Sequence, residues 1–525
     1  MLLLVSRYSE RSIMFTAINT GSVLGMEAYP VRVEVDLSKG LPGFEVVGSV
    51  GNEGKEARER VQIALKNVGY SLPVARITVN LSPARIRKEG TGYDLPIAAG
   101  LLSCMGIGDP DSLAETAFLG EIALNGEVRP VNGALPIALA LKRAGIKRLL
   151  LAKENAGECA ALTDLTFIAI TTLKDMIRFL QADEERRKKE FKRYRSSVKR
   201  AMAKEEELDF ADVCGQEGAK RAALVAAAGA HHLLFTGPPG TGKTMVAKRL
   251  PGILPPLKKT EQLEVASIYS IAGKWNTNGL SDIRPFLAPH HTLSPQALAG
   301  GGRIPRPGLL SLAHRGVLFL DETPEFSKAA LEVLRQPLEE KKVQIARSHG
   351  TYTYPAEFLL ICAMNPCPCG YFPDRNRCSC TEPDIRRYLS RISGPLLDRI
   401  DIMTEVGEVG LKELRTKQSG ENSSHMRMRV LSARERQEYR YRESAYRYNG
   451  ELTGREVERY CRLNSKGQYF LEQVYESGQM SMRTYHKVLK LARTIADLDE
   501  TDDISVGHLS EAVCYNNGKQ RFYGI

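Results

Sequence analysis

At 525 residues the chain is long enough for about two to four separately cored domains. A composition of 43% hydrophobic and 26% charged residues is that of an ordinary globular protein, and no apolar run reaches the roughly 18 residues of a membrane span. The net charge of +11 and a pI near 9.0 favour an anionic partner, nucleic acid first, because lysine and arginine displace the counterions condensed on phosphates; an inert basic surface would give the same count.

Residues 1–13 carry no periodicity, and their apolar opening is too short for a signal-peptide core. A cytoplasmic location is expected. Met14 opens the first strand pattern and is expected to be the natural start in place of Met1. Over 14–181 short β-rich runs alternate with helical stretches. Strands are predicted over 31–35, 76–80, 117–122 and 148–151, and helices over 55–68 and 134–144, ending at Gly69 and Gly145, which suit left-handed C-caps. This is an α+β domain. Residues 182–208, with Arg186-Arg187-Lys188-Lys189 and Lys199-Arg200, hold too few apolar side chains for a core and read as a charged linker or solvated helix.

Over 209–409 the pattern is βα, with a helix over 216–228, strands over 233–235, 316–320 and 357–364, and a helix from Lys243. Such alternation predicts an α/β module with a parallel sheet covered on both faces. Residues 410–525 are helical in character and read as a small lid bundle.

The loop Gly237-Pro238-Pro239-Gly240-Thr241-Gly242-Lys243-Thr244 follows an apolar strand and opens a helix, the context a phosphate-binding loop requires. Its glycines let backbone N–H groups turn inward around phosphates, Lys243 neutralises their charge, and Thr244 offers a hydroxyl to Mg²⁺. ATP is the expected ligand. The apolar run Val317-Leu318-Phe319-Leu320 ends in Asp321-Glu322, at the strand end where α/β sheets bind ligands. Asp321 is expected to hold Mg²⁺ and Glu322 to polarise the attacking water. A third apolar strand ends at Asn365, expected between these two groups, where it aligns that water. Arg399, in Leu397-Asp398-Arg399-Ile400-Asp401, resembles a finger reaching into a neighbour's site, and Arg483 resembles a lid sensor of the γ-phosphate. A surface salt bridge explains either arginine equally well. A finger acting in trans requires a ring.

Cys367, Cys369, Cys378 and Cys380 form C-x-C-x₈-C-x-C, which suits structural zinc, against free thiols in a buried loop. The remaining cysteines are scattered and read as core. Two β-rich runs over 343–347 and 351–354 flank Ser348-His349-Gly350 and predict a hairpin, with Arg347 and His349 near its tip. Arg303 and Arg306, beside the Gly300-Gly301-Gly302 run, offer a second basic element. DNA contact and plain structural use are both open for these four residues. Over 427–448 arginines interleave with Tyr439, Tyr441, Tyr446 and Tyr448, which reads either as a single-strand platform or as a solvated helical face with tyrosines buried against the bundle.

The segments Gln296-Ala297-Leu298-Ala299-Gly300-Gly301-Gly302, Pro307-Gly308-Leu309-Leu310-Ser311-Leu312-Ala313-His314 and Ala363-Met364-Asn365-Pro366-Cys367-Pro368-Cys369-Gly370 resemble the Mg-chelatase-like branch of AAA+ proteins. With the front domain and Ala492-Arg493-Thr494-Ile495-Ala496-Asp497-Leu498 included, the chain resembles the ComM/YifB family. That resemblance implies a cytoplasmic hexameric ATPase acting as a helicase in DNA branch migration. It also implies that the front domain has the Lon-protease-like, ribosomal S5 domain 2-like fold. In Lys88-Glu89-Gly90-Thr91-Gly92 the Lon serine position falls on Gly92, and in Pro130-Val131-Asn132-Gly133-Ala134-Leu135 the Lon lysine position falls on Leu135. With neither nucleophile nor base, no peptidase activity is expected. Two other readings stay open: a motor subunit inserting Mg²⁺ into a porphyrin, and a protein-remodelling unfoldase.

Overall fold

The computed structural model describes residues 15–194, 208–275, 280–348, 350–410 and 420–516. The leader 1–13, Met14, the later part of the charged segment and His349 lie outside the described residues.

In the front unit, Val31, Val33 and Val35 are buried while Arg32 between them is exposed, the period of a strand with one face in a core. That strand, Glu27–Ser38, belongs to a seven-stranded mixed sheet. The order is Gly43–Val47, Arg76–Ser82, Glu27–Ser38, Phe15–Leu24, Thr116–Leu119, Arg148–Ala152, Thr166–Ile170. Helices Asn52–Asn67 and Asp94–Cys104 pack on the valines. Both predicted glycine caps hold, with Gly69 at φ 95 and Gly145 at φ 85. The strand expected over 117–122 is broken at Gly120, which leaves the sheet to bond the loop at Gly92: Gly120 N–H donates to Gly92 O at 3.3 Å.

Of the two readings of the charged segment, its beginning takes the helix: Glu184–Glu190 is helical and exposed except at Arg187, with Asp183 accepting from the Arg186 N–H at 2.8 Å. Arg187 is buried; it donates to the carbonyls of Phe179 at 3.0 Å and Leu180 at 3.3 Å and to Ser112 Oγ at 2.9 Å. Phe191 then packs edge-on against Phe179. Charge counting misses this because an arginine whose donors find backbone carbonyls is at home inside a protein. Cys214 and Cys514 are likewise exposed instead of core.

The second unit has a five-stranded parallel sheet, ordered Phe286–Leu287, Val317–Leu320, Leu359–Met364, Leu233–Thr236, Ile402–Glu405. Every residue of the three middle strands is buried, as a parallel sheet covered on both faces requires. The lid helices Ser423–Arg440, Ser465–Val474, Met482–Leu498 and Val506–Cys514 share one apolar core with this sheet. Among the described residues no helix is long and apolar enough to cross a membrane.

Polar contacts lock the lid on. Arg434 and Gln437 donate to the carbonyls of Ala227 (2.7 Å) and Ala228 (3.1 Å), capping the end of helix Glu217–Gly229. Fully buried Asp497 accepts from Arg440 at 2.8 Å and Asn449 at 2.9 Å. Asn449 also donates to Thr494 Oγ1, which lies 2.7 Å from His231 Nε2, whose Nδ1 faces Asp401 at 3.1 Å. In the arginine–tyrosine stretch, Arg434, Arg440 and buried Tyr441 therefore serve the bundle, while exposed Tyr439 carries Arg442 over its ring.

The front unit rests on helix Lys259–Ala272 of the second unit. Gly133 N–H donates to Ser270 O at 3.0 Å, and Leu135 N–H to Ser270 Oγ at 3.4 Å. Leu263, Ala266 and Trp275 join the apolar cluster of Leu135, Ile137 and Leu141. Glu158 is buried there beside Asn155 and Ser270; burial, outweighing those hydrogen bonds, pushes its carboxyl up to about 7.

Two outcomes follow from this packing. Asp497→Ala leaves buried Arg493 and partly buried Arg440 without their carboxylate, so denaturant unfolding of the lid and second unit is expected to lose about 3–5 kcal/mol. Because the folded state holds the Glu158 proton more tightly than the unfolded chain does, this group costs stability as pH rises from the ordinary carboxylate range through about 7. Glu158→Gln should therefore gain on the unmodified protein in thermal melts at pH 8 relative to pH 5.

Candidate functional site

The strand order brings three C-terminal strand ends together. Leu359–Met364 lies between Leu233–Thr236, which leads into the phosphate-type loop, and Val317–Leu320, which ends at the acidic pair. Asn365 thus falls between the two, where the sequence places it. Lys243, buried at the first turn of helix Lys243–Ile253, donates to Gly237 O and Pro238 O, each at 2.7 Å, and to Asn365 Oδ1 at 3.2 Å. Burial lowers the Lys243 pKa, and the nearby Asp321 charge opposes that shift. Thr244 Oγ1 donates to Asp321 Oδ2 at 2.7 Å, so a hydroxyl and a carboxylate converge where a divalent cation would be shared.

Two kinds of glycine shape the loop. Gly240 and Gly242 hold φ of 79° and 94°, a backbone only glycine adopts freely. Gly237 is needed for space, since a Cβ there would lie 2.1 Å from Val406 O. Thr241 closes the turn by donating to Pro238 O at 3.0 Å, and Gln216 reaches Thr241 O and Gly407 O.

Glu322 sits at φ 48, a left-handed conformation costing a non-glycine residue roughly 1–2 kcal/mol. The turn exposes its carboxylate, which lies 3.5 Å from His291 Nδ1. His291 stacks on His290, with ring centroids 4.2 Å apart, just beyond strand Phe286–Leu287. Sequence reasoning passed over this histidine. The visible signal was the pair His290-His291 beyond an apolar strand, but only the sheet order brings it to the acidic pair.

Arg399 and Arg483 form a separate group. Arg399 pairs with Glu339 and donates to Pro395 O, and Arg483 meets Asp398 Oδ2 at 3.2 Å. Burial, then the charges of Arg335 and Arg483, lower the Arg399 pKa. Arg483 is 81% exposed. These partners all lie outside the phosphate-type loop.

The predicted hairpin exists as Lys342–Arg347 paired with Gly350–Pro355, Arg347 opposite Gly350. Exposed Arg347 donates to Gly302 O at 3.3 Å, and buried Tyr354 bonds Pro305 O, so hairpin and glycine-rich insert are one body. Arg303 and Arg306 are exposed on that insert. The hairpin runs into strand Leu359–Met364 after three residues, 356–358.

The four cysteines converge. Sγ–Sγ distances are 3.3 Å for Cys367–Cys369, 3.7 Å for Cys367–Cys378 and 3.5 Å for Cys369–Cys378, and all four sulfurs, Cys380 included, lie within 4.8 Å of one another. A tetrahedron of zinc–sulfur bonds of about 2.3 Å has edges of roughly 3.8 Å, so the donor set fits zinc. The N–H groups of Gly370 and Phe372 donate to Cys367 Sγ. Burial alone would raise the Cys369 thiol, but the Tyr371 N–H and the neighbouring sulfurs bring it down to about 6.

In the front unit, the Gly92 position faces apolar groups: a Cβ there would meet Leu119 at 3.1 Å and Val131 at 3.7 Å. Leu135 is fully buried.

Comparison with known proteins agrees with this geometry. The family described as magnesium chelatase, subunit ChlI, matches residues 209–414, with related ChlI and C-terminal families matching 33–155 and 420–516. The chain is 43% identical to the competence protein ComM of Haemophilus influenzae over 94% of its own length and 95% of that protein. It is 41% identical to YifB of Escherichia coli over 95% of its length and 96% of that protein. A partial match to Lon protease 2 of Bacillus subtilis, 27% identical, covers 30% of each chain. The phosphate-type loop, the acidic strand end and the end-to-end similarity agree: the chain belongs to the ComM/YifB family of Mg-chelatase-like AAA+ proteins, with a Lon-protease-like front domain.

Proposed function

We propose that this chain is an ATP-driven DNA motor, a hexameric ring that translocates on branched or single-stranded DNA in the cytoplasm and promotes branch migration in recombination. The observation that carries this reading is the covalent path from Arg347 on the hairpin to Asn365, which is hydrogen-bonded to Lys243. A displacement of Asn365 during nucleotide turnover moves the hairpin that faces the polyanion. The ComM name of a relative, a competence protein, supports DNA as the cargo. So does the net charge of +11.

In this reading Lys243 and the inward N–H groups of the loop hold the ATP phosphates, and Thr244 with Asp321 holds Mg²⁺. Glu322 takes the proton of the attacking water, and Asn365 aligns that water. Arg399 exchanges Glu339 for a neighbour's γ-phosphate, and Arg483 reads the γ-phosphate from the lid. Arg303 and Arg306 join Arg347 at the DNA. Cys367, Cys369, Cys378 and Cys380 hold structural zinc. The front domain is a scaffold without peptidase chemistry, since apolar groups fill the Gly92 and Leu135 positions. The magnesium chelatase description of the family favours, as a second reading, a motor for metal insertion into a porphyrin.

ATPase rates measured with single-stranded, double-stranded and branched DNA, and with unfolded protein, separate these readings. Stimulation by DNA is expected; stimulation by unfolded protein alone, or by neither, would count against the motor proposed. Glu322→Gln should retain ATP binding and lose about 10²–10⁴-fold in hydrolysis. A Lys243→Ala protein that still migrated branches at the unmodified rate would sink the proposal. For the hairpin, Arg347→Ala should weaken DNA binding and lower the slope of log affinity against log salt by about 1. An unchanged slope in a fluorescence titration would remove Arg347 from the DNA contact.

A further inference from the structure

The four-cysteine cluster is not an isolated staple. Its loop touches the nucleotide loop on one side and the segment behind that loop on the other. On one side Gly370, one residue beyond Cys369, stands at φ 88 against Pro239; a Cβ there would lie 2.6 Å from Pro239 Cδ and 3.8 Å from Asn365 Cγ. On the other side Arg377, one residue before Cys378, lies over the Tyr371 ring at 4.1 Å and pairs with Glu408 at 2.6 Å. Glu408 follows Val406, whose carbonyl borders Gly237, and Gly407, whose carbonyl accepts from Gln216. Cys367 itself is two residues beyond Asn365. The 14 residues from Cys367 to Cys380 therefore span Pro239, Asn365 and the segment behind Gly237, and their own regular structure is slight: the loop from Asn365 to Thr381 contains no helix or strand. Thiol side chains alone leave such a loop free to rearrange, whereas one tetrahedral ion fixes four points of it.

We propose that metal occupancy of the Cys367–Cys369–Cys378–Cys380 cluster sets the affinity of the phosphate-type loop for nucleotide, the metal acting as a positioning element that seats Gly370 against Pro239 and holds Asn365 at Lys243. This rests on the zinc reading above. Linkage makes the effect reciprocal: if bound metal tightens nucleotide binding, bound nucleotide tightens the metal by the same factor. Gly370 is the mechanical link, because it touches the nucleotide loop without supplying a sulfur.

The test uses the full chain. Zinc per chain is measured by atomic emission, and Co²⁺ exchanged into the cluster should give the absorption of a tetrahedral tetrathiolate. Release of zinc to a chromogenic chelator is then followed with and without Mg²⁺ and a non-hydrolysable ATP analogue, and is expected to slow about tenfold with the analogue present. Gly370→Ala should keep full zinc and the cobalt spectrum yet bind a fluorescent ATP analogue about tenfold more weakly. A chain without zinc and without the cobalt band removes the metal reading itself. A chain with one zinc whose release is indifferent to nucleotide, and a Gly370→Ala protein with unchanged nucleotide affinity, overturn the coupling while leaving the metal in place.

Discussion

Three strand ends must meet at one loop, and two hydrogen bonds hold them there. Lys243 to Asn365 ties the phosphate-type loop to the middle strand, and Thr244 to Asp321 ties it to the acidic one. Both bonds need a parallel sheet with the C-terminal strand ends on one edge and Leu359–Met364 between the other two strands. The apolar runs that build those strands are thus spent on position. Because every residue of the three is buried, no strand shifts register without exposing a core face or burying a charge.

The lid depends on the same sheet through polar contacts as well as the shared apolar core. A path runs from Arg440 through Asp497, Asn449, Thr494 and His231 to Asp401, at the start of the last strand. Burial would raise the Asp401 carboxyl, but Lys490, His231 and Lys487 hold it well below the usual range. Asp401 lies two residues from Arg399, and Asp398 pairs with Arg483, so lid and arginine group share a short stretch of chain. A buried network of this kind costs stability when partly broken, which favours the lid moving as a body with the last strand.

The front domain carries apolar surroundings where the Lon resemblance places polar side chains. Where the Lon resemblance places a serine and a lysine, this chain has Gly92 among Leu119 and Val131 and a buried Leu135. The N-terminus of helix Ala134–Arg143, which carries Leu135, closes on Ser270 of helix Lys259–Ala272. That segment joins two units.

The fold class, the nucleotide loop, the acidic pair and Asn365 were legible in the sequence, because each depends on local order: a glycine spacing, an apolar run, a polar residue at its end. The hairpin and the convergence of four cysteines were legible for the same reason. What the sequence left open were matters of distance between remote segments. His291 beside Glu322, Arg399 paired with Glu339, and Gly370 against Pro239 join segments that only the sheet order brings together. The packed helix Glu184–Glu190 was hidden differently: its composition is that of a solvated segment, and only the carbonyls of Phe179 and Leu180 make a buried Arg187 affordable. Local pattern specifies elements and their chemistry, while partnership between distant side chains is decided by how those elements stack.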